Sequence, residues 1–166
     1  YGYSGNYGEC SGTYQISYGE GTCGGGNFQR RESMFVNSMV EMNGYAYFVA
    51  SVDGGASLRF YKTNGTSQGT ELVKTISSVP NMGVYYIYKA NNKLYFSISD
   101  NNQTVGQLWV SDGTSSGTQV IHNNLAVAFQ MTALDNSKVI FSAAPANKLS
   151  KRELWITDGT NAGTML

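Results

Sequence analysis

Charged side chains are scarce in this chain of 166 residues, and the few that occur cancel. Lys and Arg number 11, Asp and Glu also number 11, and together they make up 13% of the sequence, about half the usual share of a soluble domain. No basic surface is available for nucleic acid or an anionic membrane, so neither partner is expected. Membrane insertion is not expected either, because no apolar run approaches the ~20 residues of a membrane-spanning helix.

Histidine and cysteine are also rare, with one His and two Cys in the chain. Zinc normally takes four ligands, so no metal or other cofactor is expected. A disulfide between Cys10 and Cys23 would contribute about 3 kcal/mol in the chain-entropy model and would imply an oxidising compartment; the alternative is two free thiols. His122 has no identifiable acid–base partner and is interpreted as a solvated strand residue.

Proline is almost absent, with 2 residues, whereas glycine supplies 20. Turns must therefore rely on glycine, which reaches positive φ without steric cost. Twelve Tyr and seven Phe favour strands. Asn64 and Asn102 each begin an Asn-x-Thr tripeptide, the acceptor pattern for N-glycosylation, which supports a secreted or cell-surface location. The chain begins at Tyr1, and we expect a mature or excised segment.

One twelve-residue phrase occurs three times, as RFYKTNGTSQGT (59–70), QLWVSDGTSSGT (107–118) and ELWITDGTNAGT (153–164). The glycine after its Asp or Asn recurs at intervals of 48 and 46, at Gly65, Gly113 and Gly159. An upstream phenylalanine recurs independently at intervals of 48 and 45, at Phe48, Phe96 and Phe141. Two separate features that share one period indicate a true repeat.

Each period has the pattern of four short strands. Apolar and polar residues alternate within the runs, and the dipeptides that follow the third run predict hairpin turns, at Asn64-Gly65, Asp112-Gly113 and Asp158-Gly159. Four antiparallel strands every 40–50 residues are typical of a β-propeller blade. A β-sandwich is the competing fold, but it does not explain one turn recurring at a fixed long period.

We therefore predict an all-β chain of β-propeller blades, with about three four-stranded repeats of ~46–48 residues in a larger or oligomeric propeller. The first repeat is predicted at 38–84, the second at 85–128, and the third at 129–166 with its last strand truncated. Segment 1–37 is Gly/Tyr-rich, and residues 13–18 are predicted as a leading outer strand that pairs beside the strand starting at Thr164, within or between chains. This segment is either an adhesive or sugar-contacting surface or a disulfide-pinned loop.

Two sets of residues in the repeat are candidate binding positions. The aromatic residues of the third strand either stack on sugars or pack between blades, at Tyr61, Trp109 and Trp155. The turn residues Asp112 and Asp158 either contribute to a calcium site or bond their own backbone. The second reading is favoured, because calcium needs six or more oxygens and one Asp per turn falls short.

The phrase ELW-x-x-DGT-x-x-GT, complete at 153–164 and nearly so at 107–118, resembles the bacterial ELWxxDGT repeat family. The resemblance covers roughly residues 38–166. It implies a large exported or surface-associated bacterial protein with propeller-like blades and an association with adhesion. It implies no catalytic residues. The first copy departs from the phrase at Phe60, Tyr61 and Asn64.

The expected function follows from this architecture. A non-enzymatic secreted or cell-surface protein would serve adhesion or extracellular assembly through protein–protein contacts, with copies of itself or the rest of a longer chain as partners. A second hypothesis is a propeller lectin that binds carbohydrate at repeated sites between blades. A third is a fragment of an extracellular hydrolase. Three blades do not close a ring, which typically needs 4–8.

Overall fold

The computed structural model describes residues 12–16, 19–23, 35–79, 82–100, 102, 104–146, 148 and 150–166. The fold over these ranges is all-β, as predicted, and its one helical element is a turn of 3-10 helix at Asp53–Gly55. No helix in the described part of the chain has the length and apolar character needed to cross a membrane.

The strands form antiparallel sheets in which chain neighbours are sheet neighbours. An N-terminal hairpin contains β1 (Gly12–Ile16) and β2 (Gly19–Cys23). The first sheet contains β3 (Phe35–Met42), β4 (Tyr45–Val52), β5 (Ser57–Thr63) and β6 (Glu71–Ser77). The second sheet contains β7 (Met82–Ala90), β8 (Lys93–Asp100), β9 (Gly106–Ser111) and β10 (Gln119–Asn123). The third sheet contains β11 (Leu125–Ala133), β12 (Val139–Pro145) and β13 (Glu153–Thr157).

The register of the sheets repeats in step with the sequence. The recurring phenylalanine of the second strand pairs with the recurring aromatic residue of the third strand in every sheet, as Phe48–Tyr61, Phe96–Trp109 and Phe141–Trp155. The third sheet has no full fourth strand among the described residues, but Met165 forms a β-bridge with Ile156 at that position. The equivalences read from the sequence are therefore equivalences of position in the sheets.

Bulges lengthen the first strands and move their starts. The second sheet begins at Met82 and the third at Leu125, whereas the repeats were predicted to begin at 85 and 129. Register shifts interrupt the pairing of these strands, between Val84 and Ile87 in one and between Ala126 and Phe129 in the other. A bulge breaks strict alternation, so the start of a bulged strand does not show in a period-two pattern.

The prediction of tight hairpins at the Asp-Gly and Asn-Gly dipeptides is wrong in its detail. Those dipeptides open longer loops, and only their glycines have positive φ, of 90° at Gly65, 91° at Gly113 and 88° at Gly159. The two-residue hairpins lie two connections earlier. Asn43-Gly44 and Asn91-Asn92 join the first two strands of their sheets, and both residues of each pair have positive φ, as a type I′ turn requires.

The predicted leading strand also differs from the structure. Residues of β1 pair with β2 in register from Gly12–Cys23 to Ile16–Gly19. Met165, in the strand predicted to begin at Thr164, bridges Ile156 of β13, and no residue of β1 pairs beside it among the described residues. Short-range closure of the β1–β2 hairpin costs far less loop entropy than pairing across the chain. Pairing between two chains stays a prediction.

The core lies between consecutive sheets. Alternation along β8 places Leu94, Phe96 and Ile98 against the first sheet, while Tyr95 faces the third. The middle sheet is consequently buried on both faces. Across the first interface, the Phe60 and Phe96 ring centroids are 5.3 Å apart. Because both rings are fully buried, truncating either to Ala would cost about 3–5 kcal/mol.

Candidate functional site

The three recurring loops are the most regular polar feature of the molecule. They span 64–70, 112–118 and 158–164, and we call them the first, second and third repeat loops. In the second loop, Oδ1 of Asp112 accepts hydrogen bonds from the backbone N–H (2.9 Å) and the hydroxyl (2.7 Å) of Thr114. The Thr114 hydroxyl accepts a bond from the N–H of Gly117 at 3.0 Å. The acidic side chain therefore organises its own loop.

A pair of hydroxyl groups closes the base of the loop. Oγ of Ser111 and Oγ1 of Thr118 are 2.7 Å apart, and both residues are buried. Ser111 also accepts a bond from the N–H of Gly113 at 2.9 Å, while Thr118 donates to the carbonyl of Thr114. Each polar atom at the base thus has a partner within the loop, which is what buried polar groups require.

The same six hydrogen bonds occur in all three loops. Asn64 and Asp158 take the place of Asp112, with bonds of 2.7–3.1 Å to the following threonines. The hydroxyl pairs are Thr63–Thr70 and Thr157–Thr164, each 2.8 Å apart. The amide oxygen of Asn64 serves as well as a carboxylate, because the loop needs an acceptor rather than a charge.

The second glycine of the phrase is required for a structural reason that the sequence did not reveal. A Cβ built on Gly69, Gly117 or Gly163 would approach the Asn or Asp side chain of its own loop to less than 3.0 Å. Real Cβ atoms essentially never show such a separation. The Gly-Thr that closes each copy therefore leaves room for the acceptor side chain to fold over the loop.

Each repeat loop after the first contacts the sheet that precedes it. A Cβ on Gly113 would lie 2.5 Å from Oη of Tyr47, and one on Gly159 would lie 2.9 Å from Nζ of Lys93. The Lys74 ammonium donates to the carbonyls of Ser115 (3.1 Å) and Thr118 (2.6 Å). These contacts fix the second and third loops against the sheets before them.

The electrostatics of the loops follow from these bonds. Hydrogen bonds from Thr114 lower the pKa of Asp112, and those from Thr160 lower the pKa of Asp158. Burial raises the pKa of the Tyr95 phenol, and Asp158 raises it further. Both carboxylates are consequently ionised at neutral pH and occupied with their own loops. In the described residues, no three His, Cys, Asp or Glu side chains cluster closely enough to hold a metal ion.

The recurring aromatic residues of the third strand lie largely inside the core. Trp109 and Trp155 are buried between sheets, with exposed fractions of 7% and 8%. The Trp109 ring stacks on Phe96 at 6.0 Å and 8°, and Tyr61 stacks on Phe48 at 5.6 Å and 18°. These positions match the packing alternative, since a sugar would need an exposed ring face.

His122 is more enclosed than the sequence suggested. It is half-buried, packs edge-on against Trp155 at 5.3 Å, and its Nδ1 atom is buried without a hydrogen-bond partner. Burial lowers the pKa of His122. The interpretation as a solvated strand residue is wrong, because the next sheet covers this position. Lys74, at the equivalent position of β6, is likewise partly buried.

The remaining predicted site residues lie at the surface or outside the described ranges. Asn64 is exposed, and so is Asn102, although Gln103 of its tripeptide is outside the described residues. Cys23 ends β2, whereas Cys10 is outside the described residues, so the disulfide stays a prediction. Glycosylation at either asparagine likewise stays a prediction.

A second polar and aromatic feature was not anticipated. Tyr86 is exposed, its ring lies 5.4 Å from that of Phe129, and the Arg152 guanidinium stands 4.5 Å above the Phe129 ring. We call these three residues the aromatic–arginine cluster. It draws on three strands or loops and is not repeated, since Ser38 occupies the Tyr86 position in the first sheet. No periodic signal could have revealed it.

Comparison with known proteins gives no family. No family model and no curated protein matches the chain. A chain from the crystal structure of a nidogen/laminin complex is similar at 16% identity and a TM-score of 0.42, over 82% of this chain and 55% of that one. An exo-beta-1,3-galactanase from Clostridium thermocellum is similar at 15% identity and a TM-score of 0.40, over 79% of this chain and 33% of that one. This chain spans less than two thirds of either protein, and at these TM-scores neither likeness bears on the function.

Proposed function

We propose that the chain is a run of β-propeller-type blades in a secreted or cell-surface protein, and that it serves adhesion or extracellular assembly through protein–protein contacts. The observation that carries the proposal is the repeated mode of sheet packing. Each sheet contacts the next in the same order, through three contacts: Phe60 with Phe96, Lys74 with the second loop, and Tyr95 with the third loop. Sheets that stack by a fixed contact are how propeller blades and repeat arrays are built.

The chemistry of the loops supports a non-enzymatic role. The acidic side chains Asp112 and Asp158 are committed to bonds within their loops. His122 faces Trp155 rather than a carboxylate. A general acid or base must be able to reach a proton on a substrate, and these groups are engaged elsewhere. A surface of hydroxyl-rich loops on stacked sheets fits protein contacts better than turnover.

The proposal is tested by determining whether the protein lies on the outside of the cells that produce it. Protease treatment of intact cells should remove it, and brief chemical cross-linking at the surface should join it to other protein. A protein that resists protease in intact cells and becomes sensitive only after lysis would contradict the proposal. Measuring a cytoplasmic protein in the same samples controls for leakage.

Glycan binding is a second candidate, supported by the aromatic–arginine cluster rather than by the repeated aromatics. An exposed aromatic ring beside a guanidinium offers a stacking face for a sugar. A glycan array with the wild-type chain and with Tyr86→Ala tests it. Binding lost in Tyr86→Ala and retained in Tyr61→Ala would favour the lectin, and an array without signal would remove it.

A further inference from the structure

The connection between β12 and β13 departs from the repeat. It spans 146–152, whereas the equivalent connections span 53–56 in the first sheet and 101–105 in the second. We call this longest connection the long loop, and its sequence ANKLSKR contains three cations where the other two contain none. In repeat proteins, insertions into single repeats lie in loops on one face, which is often the binding face. The long loop is therefore a candidate binding site.

The long loop presents its cations to solvent, since Lys148, Lys151 and Arg152 are all exposed. Two backbone hydrogen bonds shape the loop, from the N–H of Lys148 to the carbonyl of Pro145 (3.0 Å) and from the N–H of Lys151 to the carbonyl of Lys148 (2.8 Å). Glu153 follows as one exposed carboxylate, so positive charge is in excess. In a chain with few charged residues, this excess gives a local positive field.

The aromatic–arginine cluster lies against both ends of the long loop. Tyr85 and Phe129 pack against Ala146, which is the first residue of the loop. The Arg152 guanidinium, from the last residue of the loop, stands above the Phe129 ring. The exposed ring of Tyr86 is 5.4 Å from that of Phe129, so Tyr86 lies beside the loop. The cations and the exposed aromatic ring thus form one surface.

A bulge in β11 holds Phe129 in this place. The register with β12 shifts on both sides of Phe129, and Gln130 has a positive φ of 53°. The hydroxyl of Tyr88 accepts a hydrogen bond from the N–H of Gln130 at 3.1 Å and so supports this backbone. A non-glycine residue in the left-handed region is strained, and bulges often re-aim a side chain next to a functional site. The strained residue lies where the aromatic rings and the long loop meet.

We propose that the long loop and the aromatic–arginine cluster together bind an acidic polysaccharide, one that carries carboxylate or sulfate groups. The proposal rests on the glycan-binding candidate stated above and gives it a ligand class. The Tyr86 ring offers a face on which a sugar ring stacks. The ammonium groups of Lys148 and Lys151 donate hydrogen bonds to the anionic groups of the polysaccharide. The zero net charge of the chain disfavours nucleic acid, because a phosphate on every nucleotide calls for a broad basic surface.

Three dextrans with one backbone test the proposal with the full chain: unmodified dextran, carboxymethyl-dextran and dextran sulfate. Calorimetric titration at low salt should show that one or both anionic forms bind about tenfold more tightly than the neutral form. Replacing Lys148 and Lys151 together by Gln should weaken binding of the anionic forms about tenfold. Lys138→Gln is the matched control and should bind as wild type does. Lys138 is an exposed cation of the same sheet, but it precedes β12 whereas the long loop follows it.

Tyr86→Ser separates stacking from charge. Ser38 stands at the equivalent position of the first sheet, so we expect the fold to accommodate serine. This variant should bind the anionic dextrans more weakly than wild type but keep the decrease of affinity with added salt, because both lysines remain. A melting temperature equal to that of wild type would exclude a folding defect as the cause.

Equal affinity for all three dextrans, no binding of either anionic form, or an equal loss in Lys138→Gln would overturn the proposal. Tighter binding of oligothymidylate than of either anionic dextran would assign this surface to nucleic acid instead. Failure here is distinguishable from failure of the glycan candidate, because a neutral glycan that binds on the array and is lost in Tyr86→Ala would keep that candidate. Protease treatment of intact cells measures the surface location separately.

Discussion

At the scale of single residues, the repeat loops depend on acceptor oxygens and hydroxyls placed to an accuracy of a few tenths of an ångström. The pair Ser111–Thr118 has the same separation, within 0.1 Å, as Thr63–Thr70. What differs is the environment, because Thr118 is fully buried and Thr70 is exposed. In the buried loop, a hydroxyl that loses its partner cannot form a hydrogen bond with water instead. The same substitution should therefore lower the free energy of unfolding more in the buried loop than in the exposed one.

Thr118→Val is expected to lower the free energy of unfolding by about 1–3 kcal/mol, because it removes a hydroxyl that bonds both Ser111 and the Thr114 carbonyl. Thr70→Val removes the equivalent group at the surface and should cost about 0.5 kcal/mol or less. Urea unfolding of both variants checks the difference. Equal losses would mean that burial does not set the cost.

Replacing both acidic loop residues by asparagine should reduce the loss of unfolding free energy that occurs as the pH falls into the acid range. The folded pKa values of Asp112 and Asp158 lie below the ordinary 3.8, so their stabilisation is present above pH 3.8 and is lost as pH falls through the folded values. Asp112→Asn with Asp158→Asn removes that contribution. At pH 7 the variant should stay close to wild type, because Asn64 already holds the first loop with an amide oxygen.

Unfolding curves from pH 7 to pH 2 provide the measurement. Other carboxylates with lowered pKa values, such as Asp100 and Asp135, titrate in the same window, so the reading is the difference between variant and wild type. A variant with an unchanged acid limb would contradict the role given to the loop carboxylates.

At the scale of elements, each loop joins two strands through a glycine that the acceptor side chain covers. Sequence periodicity identified the loop and the glycine with positive φ, because both recur in the twelve-residue phrase. It did not identify the reason for Gly117, since the obstruction is the Asp112 side chain, five positions away and folded back. The tight hairpin at Asn91-Asn92 was also missed, because it carries no glycine.

Gly117→Ala should destabilise the chain by about 1–3 kcal/mol, because the added methyl displaces the Asp112 carboxylate from Thr114. Gly83→Ala is the control, since its nearest neighbour would be a backbone oxygen at an ordinary 3.9 Å. That variant should be neutral or slightly stabilising. Thermal melts compare the two, and a neutral Gly117→Ala would show that the loop can accommodate a side chain.

At the scale of the whole molecule, the sheets depend on one another through their interfaces. The repeat period and the alternation of residues such as Leu94 and Tyr95 were enough to predict three antiparallel sheets with buried aromatics. The packing of Trp155 against His122 was not predictable from the sequence. The two residues belong to different repeats, and the pattern within one repeat does not show which residues meet across an interface. The same applies to Tyr86 and Phe129, which meet from two different sheets.

Because His122 is partly buried against Trp155, we expect the stability of the second interface to depend on pH in mild acid. Burial lowers the folded pKa of His122 below the unfolded 6.5, so the unfolded chain binds the proton first. Stability should therefore be complete above pH 6.5 and decline as pH falls toward the folded pKa. His122→Gln, which cannot be protonated in this range, should lack the decline.

Denaturation midpoints between pH 7.5 and pH 5 measure this effect. The window is separate from that of the loop aspartates, which titrate below 3.8. A decline of equal size in wild type and His122→Gln would assign the pH dependence to other groups.

Every repeat loop satisfies its own polar groups, so its internal conformation does not depend on neighbouring sheets. The preceding sheet only fixes the position of the loop. The contacts that cross between sheets use one recurring set of positions, from Tyr47 and Tyr95 to Gly113 and Gly159. We therefore expect sequence units of about 46–48 residues to be interchangeable, because they use the same interface positions. Duplicating or deleting one whole unit should change the number of stacked sheets and leave the remaining interfaces between sheets unchanged. Gain and loss of whole units would then let such a chain vary in size.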